Sequence, residues 1–170
     1  MLDRIPTDRL RVAGQAAPYR IETGTLNHAA IAGVDAAVQF LASLGNGNSL
    51  REKLVSAYQS IAADEYALAA KLYAGLKKLD GVTPIGQDFS STSRTPTVSF
   101  TMKGKTPEEV CTQLARKNIC AWDGHFYAIR TMEVLGLLER GGVTRLGISL
   151  YNTEAEIDFV LERIGSIAKE

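Results

Sequence analysis

Apolar residues recur at helical spacing in some stretches of this chain and at alternate positions in others, and that change of period divides it. Residues 1–24 hold two prolines and few periodic apolar positions, and read as irregular. A helix follows, with Ala30, Ile31, Val34, Ala37, Val38 and Leu41 on one stripe and Gly45 closing it. Ser49-Leu50-Arg51-Glu52 has capping-box form: the serine oxygen takes an orphan N–H and the glutamate reaches back. It opens a long helix whose stripe is Leu50, Leu54, Ala57, Ile61, Leu68, Leu72, Leu76 and Leu79, ending at Gly81. Glu65 interrupts that stripe, so the middle of the helix is expected to be less buried than its ends.

Beyond Gly81 the pattern shortens. Val82 to Ile85 reads as a weak strand, and Thr97 to Met102 alternates well, with Val98, Phe100 and Met102 inward. Thr106-Pro107-Glu108-Glu109 begins a helix with a capping threonine, proline at the first helical position and glutamate at the third. That helix buries Val110, Leu114 and Cys111. Short strands are expected over Ile119–Trp122 and Phe126–Ile129, a short helix over Met132–Leu138, and a final strand after Gly141-Gly142. Thr153-Glu154-Ala155-Glu156 caps the last helix, whose stripe is Ile157, Val160, Leu161, Ile164 and Ile167. The sum is an α+β architecture: two leading helices, then a small, mostly antiparallel sheet with helices on one face.

Composition narrows the functional classes. The 170 residues suffice for a proper core, and 19 basic against 19 acidic side chains leave no formal net charge. There is no basic excess to recruit nucleic acid or an acidic membrane. No apolar run spans a bilayer, and Met1-Leu2-Asp3-Arg4-Ile5-Pro6 lacks a signal peptide's apolar core. Two cysteines, Cys111 and Cys120, without metal-type spacing point to a reduced, cytoplasmic setting and to core packing for both. Two isolated histidines, His28 and His125, make no metal site. Trp122 and the tyrosines of the long helix fit packing or interface roles.

The last strand carries the most suggestive chemistry. At period two, Thr144, Leu146, Ile148 and Leu150 share one face, and Val143, Arg145, Gly147 and Ser149 the other. An arginine beside a glycine and a serine has open room around its planar fork of donors, which matches the two oxygens of a carboxylate. The same row also fits an edge-strand arginine in solvent. Gly24-Thr25, just ahead of the first helix, fits either a plain N-cap or an anion site at the positive end of the helix dipole.

Three blocks in order resemble one family. Gly142-Val143-Thr144-Arg145-Leu146-Gly147-Ile148-Ser149-Leu150-Tyr151-Asn152-Thr153-Glu154 resembles the closing motif of the class V aminotransferase and cysteine desulfurase family, which depends on pyridoxal phosphate. Glu22-Thr23-Gly24-Thr25-Leu26-Asn27 looks like the family's Glu-x-Gly-Thr segment, and Trp122-Asp123-Gly124-His125-Phe126-Tyr127-Ala128 like its active-site loop. The resemblance, which runs from about Pro6 onward, implies the small C-terminal domain of the fold type I enzymes. It places 1–45 at the tail end of a large domain, 46–80 in a long connecting helix, and 81–170 in the small domain.

The resemblance also implies roles. Arg145 would bind the α-carboxylate of an amino-acid substrate. Gly24 and Thr25 would contact the cofactor phosphate held by the other subunit of a homodimer. His125 and Tyr127 would face the substrate from the flap, Tyr127 standing where desulfurases keep a nucleophilic cysteine; that puts persulfide chemistry in doubt and leaves transamination, elimination and racemisation open. The family's Schiff-base lysine belongs to an upstream large domain, and none of the 24 residues before Thr25 is a lysine. The chain therefore looks like the C-terminal part of such an enzyme, inactive alone and dependent on a partner carrying the missing half. Two other readings stand beside it: a self-standing α+β module that grips a small carboxylate or dimerises, and a folded remnant without function.

Overall fold

The computed structural model describes residues 2–8, 10–12, 14–22, 24–90 and 94–170. Thr23 of the Glu22–Asn27 block lies outside them. Backbone contacts divide the chain into two compact units, up to Ala57 and from Tyr58 onward.

In the first unit, a 3-10 turn (Leu2–Arg4) leads into irregular chain held by the nearly buried Arg20. Its guanidinium donates to the carbonyls of Asp3 and of Ile5, the latter at 3.0 Å. Helix α1 (His28–Ser43) is capped by Asn27, whose side chain accepts from the Ala30 N–H at 3.0 Å. Thr25 is therefore not the N-cap, as the sequence suggested; it lies two residues ahead of it. Gly45 is glycine for lack of space, since a Cβ there would come within 2.0 Å of the Lys53 carbonyl. Helix α2 (Leu50–Leu76) starts at the expected box, with Glu52 N–H on Ser49 Oγ at 3.2 Å and Glu52 accepting from the Ser49 N–H at 3.0 Å.

The second unit holds a four-stranded antiparallel sheet built from β1 (Val82–Ile85), β2 (Thr97–Met102), β3 (Trp122–Gly124) and β4 (Val143–Gly147). The order is β1-β2-β4-β3. One face carries Val98, Phe100, Met102 and Leu146 into a core completed by Ala69, Leu72 and Leu76 of α2. Val110 and Leu114 of helix α3 (Pro107–Ala115) and Ile157, Ile164 and Ile167 of helix α5 (Glu154–Ile167) fill the rest. Each such side chain taken fully out of water contributes roughly 1.5–3 kcal/mol before the entropy of ordering it. The long stripe of α2 is thus buried mainly in its C-terminal part. Leu50, expected in the stripe, is 46% exposed.

The expected strand at Phe126–Ile129 does not form. Phe126 and Tyr127 have φ of 52° and 61°, left-handed values that no strand tolerates, and Ile129 opens a short helix, α4 (Ile129–Val134). Ile119–Ala121 is also outside the strand expected there, which begins at Trp122. The segment after β3 instead returns across the other sheet face. Met132, Leu137 and Val143 bury against Ile85, Phe126 and Leu138 in a second, smaller cluster. No helix among the described residues is long and apolar enough to cross a membrane.

Candidate functional site

The site is built on the sheet face opposite the main core. Ladder pairing puts Ser99 of β2 and Trp122 of β3 on either side of Arg145 in β4. The same register sets Thr97 against Gly147, one row further along that face. The expected alternation holds as far as Gly147, where the strand ends. Beyond it the Ser149 N–H donates to Asn152 Oδ1 at 2.9 Å, turning the chain into α5. Thr153 then caps that helix, with Glu156 N–H on Thr153 Oγ1 at 3.3 Å and the Glu156 carboxylate accepting from the Thr153 N–H at 2.7 Å. The Thr153 N–H first, and then the Asn152 side chain, hold the Glu156 carboxyl below its ordinary range. Asn152 and Thr153 thus serve the architecture, ending the strand and starting the helix at a fixed place behind Arg145.

The Arg145 guanidinium lies over the face of Phe126, its central carbon 3.8 Å from the ring centroid. No ion pair between described residues involves Arg145. Beside it runs an open groove lined by Thr97, Cys120, Ala121, Trp122, Arg145 and Gly147. A half-buried guanidinium lying over a ring, with no side-chain hydrogen bond or ion pair among the described residues, has donors free for a planar anion such as a carboxylate.

The loop that brings Phe126 to Arg145 is tightly specified. Gly142 has φ of 87°, and a Cβ there would stand 2.1 Å from the Gly124 carbonyl, so only glycine lets β3 and β4 meet at this end. His125 Nδ1 accepts the Tyr127 N–H at 3.1 Å, and the Ala128 N–H donates to the His125 carbonyl at 2.8 Å. Nδ1 as acceptor puts the ring proton of neutral His125 on Nε2. Two consecutive left-handed non-glycine residues cost about 1–3 kcal/mol each. The burial of Phe126 against Met132, Leu137 and Val143 offsets that cost. Tyr127, at the same corner, is 97% exposed and has no packing of its own beyond the edge of His125.

His125, Tyr127 and Arg145 therefore belong to one unit and are linked through Phe126, a residue that sequence reasoning passes over. Its only signal in the sequence is an aromatic in a loop. Trp122, expected in packing or an interface, is 69% exposed beside Arg145. Cys120, expected in the core, is instead exposed on the groove, because the chain at 119–121 leaves the sheet. Cys111 is buried as expected, and burial, reinforced by the Asp123 carboxylate, pushes its thiol up to about 11, which makes it an inert core group. Gly24 and Thr25 are in the first unit, exposed, and open space surrounds Gly24 where a Cβ would stand.

The donor set can be tested against pyridoxal phosphate. Arg145 offers a donor fork of the kind a carboxylate takes, whereas Thr25 is exposed and does not cap α1. A covalent anchor is a different requirement: it needs an enclosed lysine whose amine sheds its proton easily. None of the chain's eight lysines is buried. Lys71 is held by Asp158 at 2.8 Å and Glu154 at 3.4 Å, and the Asp158 bond raises its pKa, the wrong direction for a nucleophile. The described residues thus offer a carboxylate fork and no such anchor.

Residues 5–160 match the family model described as aminotransferase class V. A probable cysteine desulfurase of Methanothermobacter thermautotrophicus is 28% identical over 152 residues, covering 89% of this chain and 34% of that protein. One of Pseudomonas aeruginosa is 30% identical over 143 residues, covering 84% of this chain and 31% of its own length. Among solved structures, the apo cysteine desulfurase of Thermococcus onnurineus superposes with a TM-score of 0.73 at 25% identity, over 89% of this chain and 34% of that one. The chain spans about a third of the length of the relatives it matches.

Proposed function

Because this chain belongs to the aminotransferase class V family, we propose that it provides the substrate-clamping part of a pyridoxal-phosphate site whose covalent lysine lies on another segment of polypeptide. The observation that carries the reading is the Arg145 guanidinium, lying over the Phe126 ring without an acidic partner among the described residues, beside an open groove. Arg145 would take the α-carboxylate of an amino acid through two parallel N–H···O bonds and so fix the orientation of the reacting carbon. Bound pyridoxal phosphate would supply the electron sink at that carbon. Gly24 and Thr25 would add a phosphate contact across a homodimer interface, or to a chain bearing the large domain. His125, with its proton on Nε2, and Tyr127 would border the substrate from the loop. A phenol at 127 and Cys111 inert in the core put sulfur transfer in doubt and leave transamination, elimination and racemisation open, while the exposed Cys120 on the Arg145 groove is a thiol within the same site. The polypeptide alone is expected to be inactive, and a cytoplasmic setting remains part of the reading.

The test is direct. In arginine-selective 15N NMR, the Nε–H signal missing from Arg145→Lys identifies Arg145. Titration of the unsubstituted chain with acetate, against sodium chloride at matched ionic strength, should move that signal saturably. A linear drift identical to that in chloride would remove the basis for the clamp.

A further inference from the structure

Phe126 is the one aromatic ring in contact with the Arg145 guanidinium among the described residues, and the chain goes to some length to place it there. Its backbone is left-handed at φ 52°, followed by Tyr127 at 61°. The turn is pinned by His125, which accepts the Tyr127 N–H and gives its carbonyl to the Ala128 N–H. Phe126 is seated in the small cluster formed by Met132, Leu137 and Val143. Val143 is two residues from Arg145 on the same face of β4, so a single strand carries both the seat of the ring and the cation it meets.

We infer that Phe126 is a positioning residue for the carboxylate fork: its ring fixes the plane of the Arg145 guanidinium and leaves the N–H edge turned toward the groove. The inference rests on the carboxylate reading of Arg145 and adds to it the device that orients the fork. A free arginine carries rotamer freedom in four torsions and must lose it on binding. A guanidinium lying on an aromatic face has already lost much of it, through cation–π attraction and through exclusion of water from one side. Stacking occupies the face of the ion, and carboxylates bind at its edge, so the two contacts do not compete. Removal of water from one face also strengthens the charge-assisted bonds made at the edge. The linkage runs both ways: a carboxylate held by Arg145 should in turn tighten the loop that bears His125 and Tyr127.

The experiment uses the same Arg145 Nε–H signal in Phe126→Leu and Phe126→Tyr. In the unsubstituted chain the signal should be shifted upfield by the ring. Phe126→Leu should abolish that shift and weaken acetate binding at least threefold, and Phe126→Tyr, which keeps a ring, should restore both. The Met132 methyl resonance reports whether the loop keeps its packing; if Leu disturbs it, Phe126→Met is read in its place. Loss of the ring shift with acetate affinity unchanged would overturn the positioning role and leave the Arg145 clamp standing. Failure of the unsubstituted chain to bind acetate saturably would overturn both, and a missing ring shift with normal acetate binding would overturn the stack alone.

Discussion

Helices α1 and α5 have the same kind of sequence and opposite fates. Each presents an apolar stripe at three- and four-residue spacing and each is capped by a side chain at its N-terminus. In α5 the stripe is consumed: Ile157, Ile164 and Ile167 are all within 5% of full burial, closed against the sheet. In α1 only Ala42 is buried, and Ile31, Val34 and Phe40 are each more than half exposed. Periodicity shows that a helix has an apolar face; whether the face has found a partner depends on the rest of the fold. The sheet unit closes its own core. The α1 surface is the kind that packs on something further, a second copy of this chain or another part of a larger protein.

Four perturbations would sharpen or break this contrast. The largest effect is expected in the closed core, where Ile164→Ala should cost about 2–5 kcal/mol in chemical denaturation, through lost burial and the cavity left behind. A loss below about 1 kcal/mol would mean that α5 is not truly closed. Next is the cap behind the site. Thr153→Ala should cost about 0.5–2 kcal/mol. Its partner carboxylate gives the effect a pH signature. The Glu156 pKa is lower in the folded state than its ordinary value of 4.5, first through the Thr153 N–H, so its contribution is present above that value and fades as pH falls through the folded pKa. Unfolding midpoints of Glu156→Gln and the unsubstituted chain should therefore differ near neutrality and converge in acid; a constant difference would contradict the cap.

Smaller still, Arg145→Lys should change stability by no more than about 1 kcal/mol, the scale of a cation–π contact that is only partly desolvated, while removing the saturable acetate response. A large loss of stability would make Arg145 a structural residue. Smallest on stability is Val34→Ser in α1, expected within about 0.5 kcal/mol. Its effect belongs to association instead. The unsubstituted chain should grow in light scattering as concentration rises, and Val34→Ser with Ile31→Ser should reduce that growth. A clean monomer at high concentration would show that the α1 face needs no cover.

Much of the second unit is readable in the residues. Alternation in Thr97–Met102 places Val98, Phe100 and Met102 inward, and the Thr106 and Thr153 boxes locate two helix starts, as the Ser49 box does for α2 in the first unit, because local patterns decide both. The opposite face of β4 is readable for the same reason: Arg145 and Gly147 alternate with Thr144 and Leu146 wherever the strand pairs. The stretch from 119 to 129 is not. Its apolar residues suggest strands, but the Gly124 and Gly142 approach and the left-handed pair at 126–127 are set by tertiary contacts that no local pattern contains. The pairing of Trp122 with Arg145, and the ring of Phe126 beneath the guanidinium, follow from those contacts and stay hidden with them. At the N-terminal end, Asn27 takes the cap that Gly24-Thr25 suggests for Thr25, since an amide oxygen three residues from the Ala30 N–H serves equally well.

The most direct test of the central claim concerns where covalent attachment can occur. The chain is incubated with pyridoxal phosphate, reduced with borohydride, digested, and mapped by mass spectrometry. The expected result is sparse, substoichiometric labelling scattered over exposed lysines such as Lys53, Lys78 and Lys103, with no site preferred. Stoichiometric labelling of one lysine, with a visible absorption band before reduction, would contradict the claim and make this chain the holder of its own cofactor.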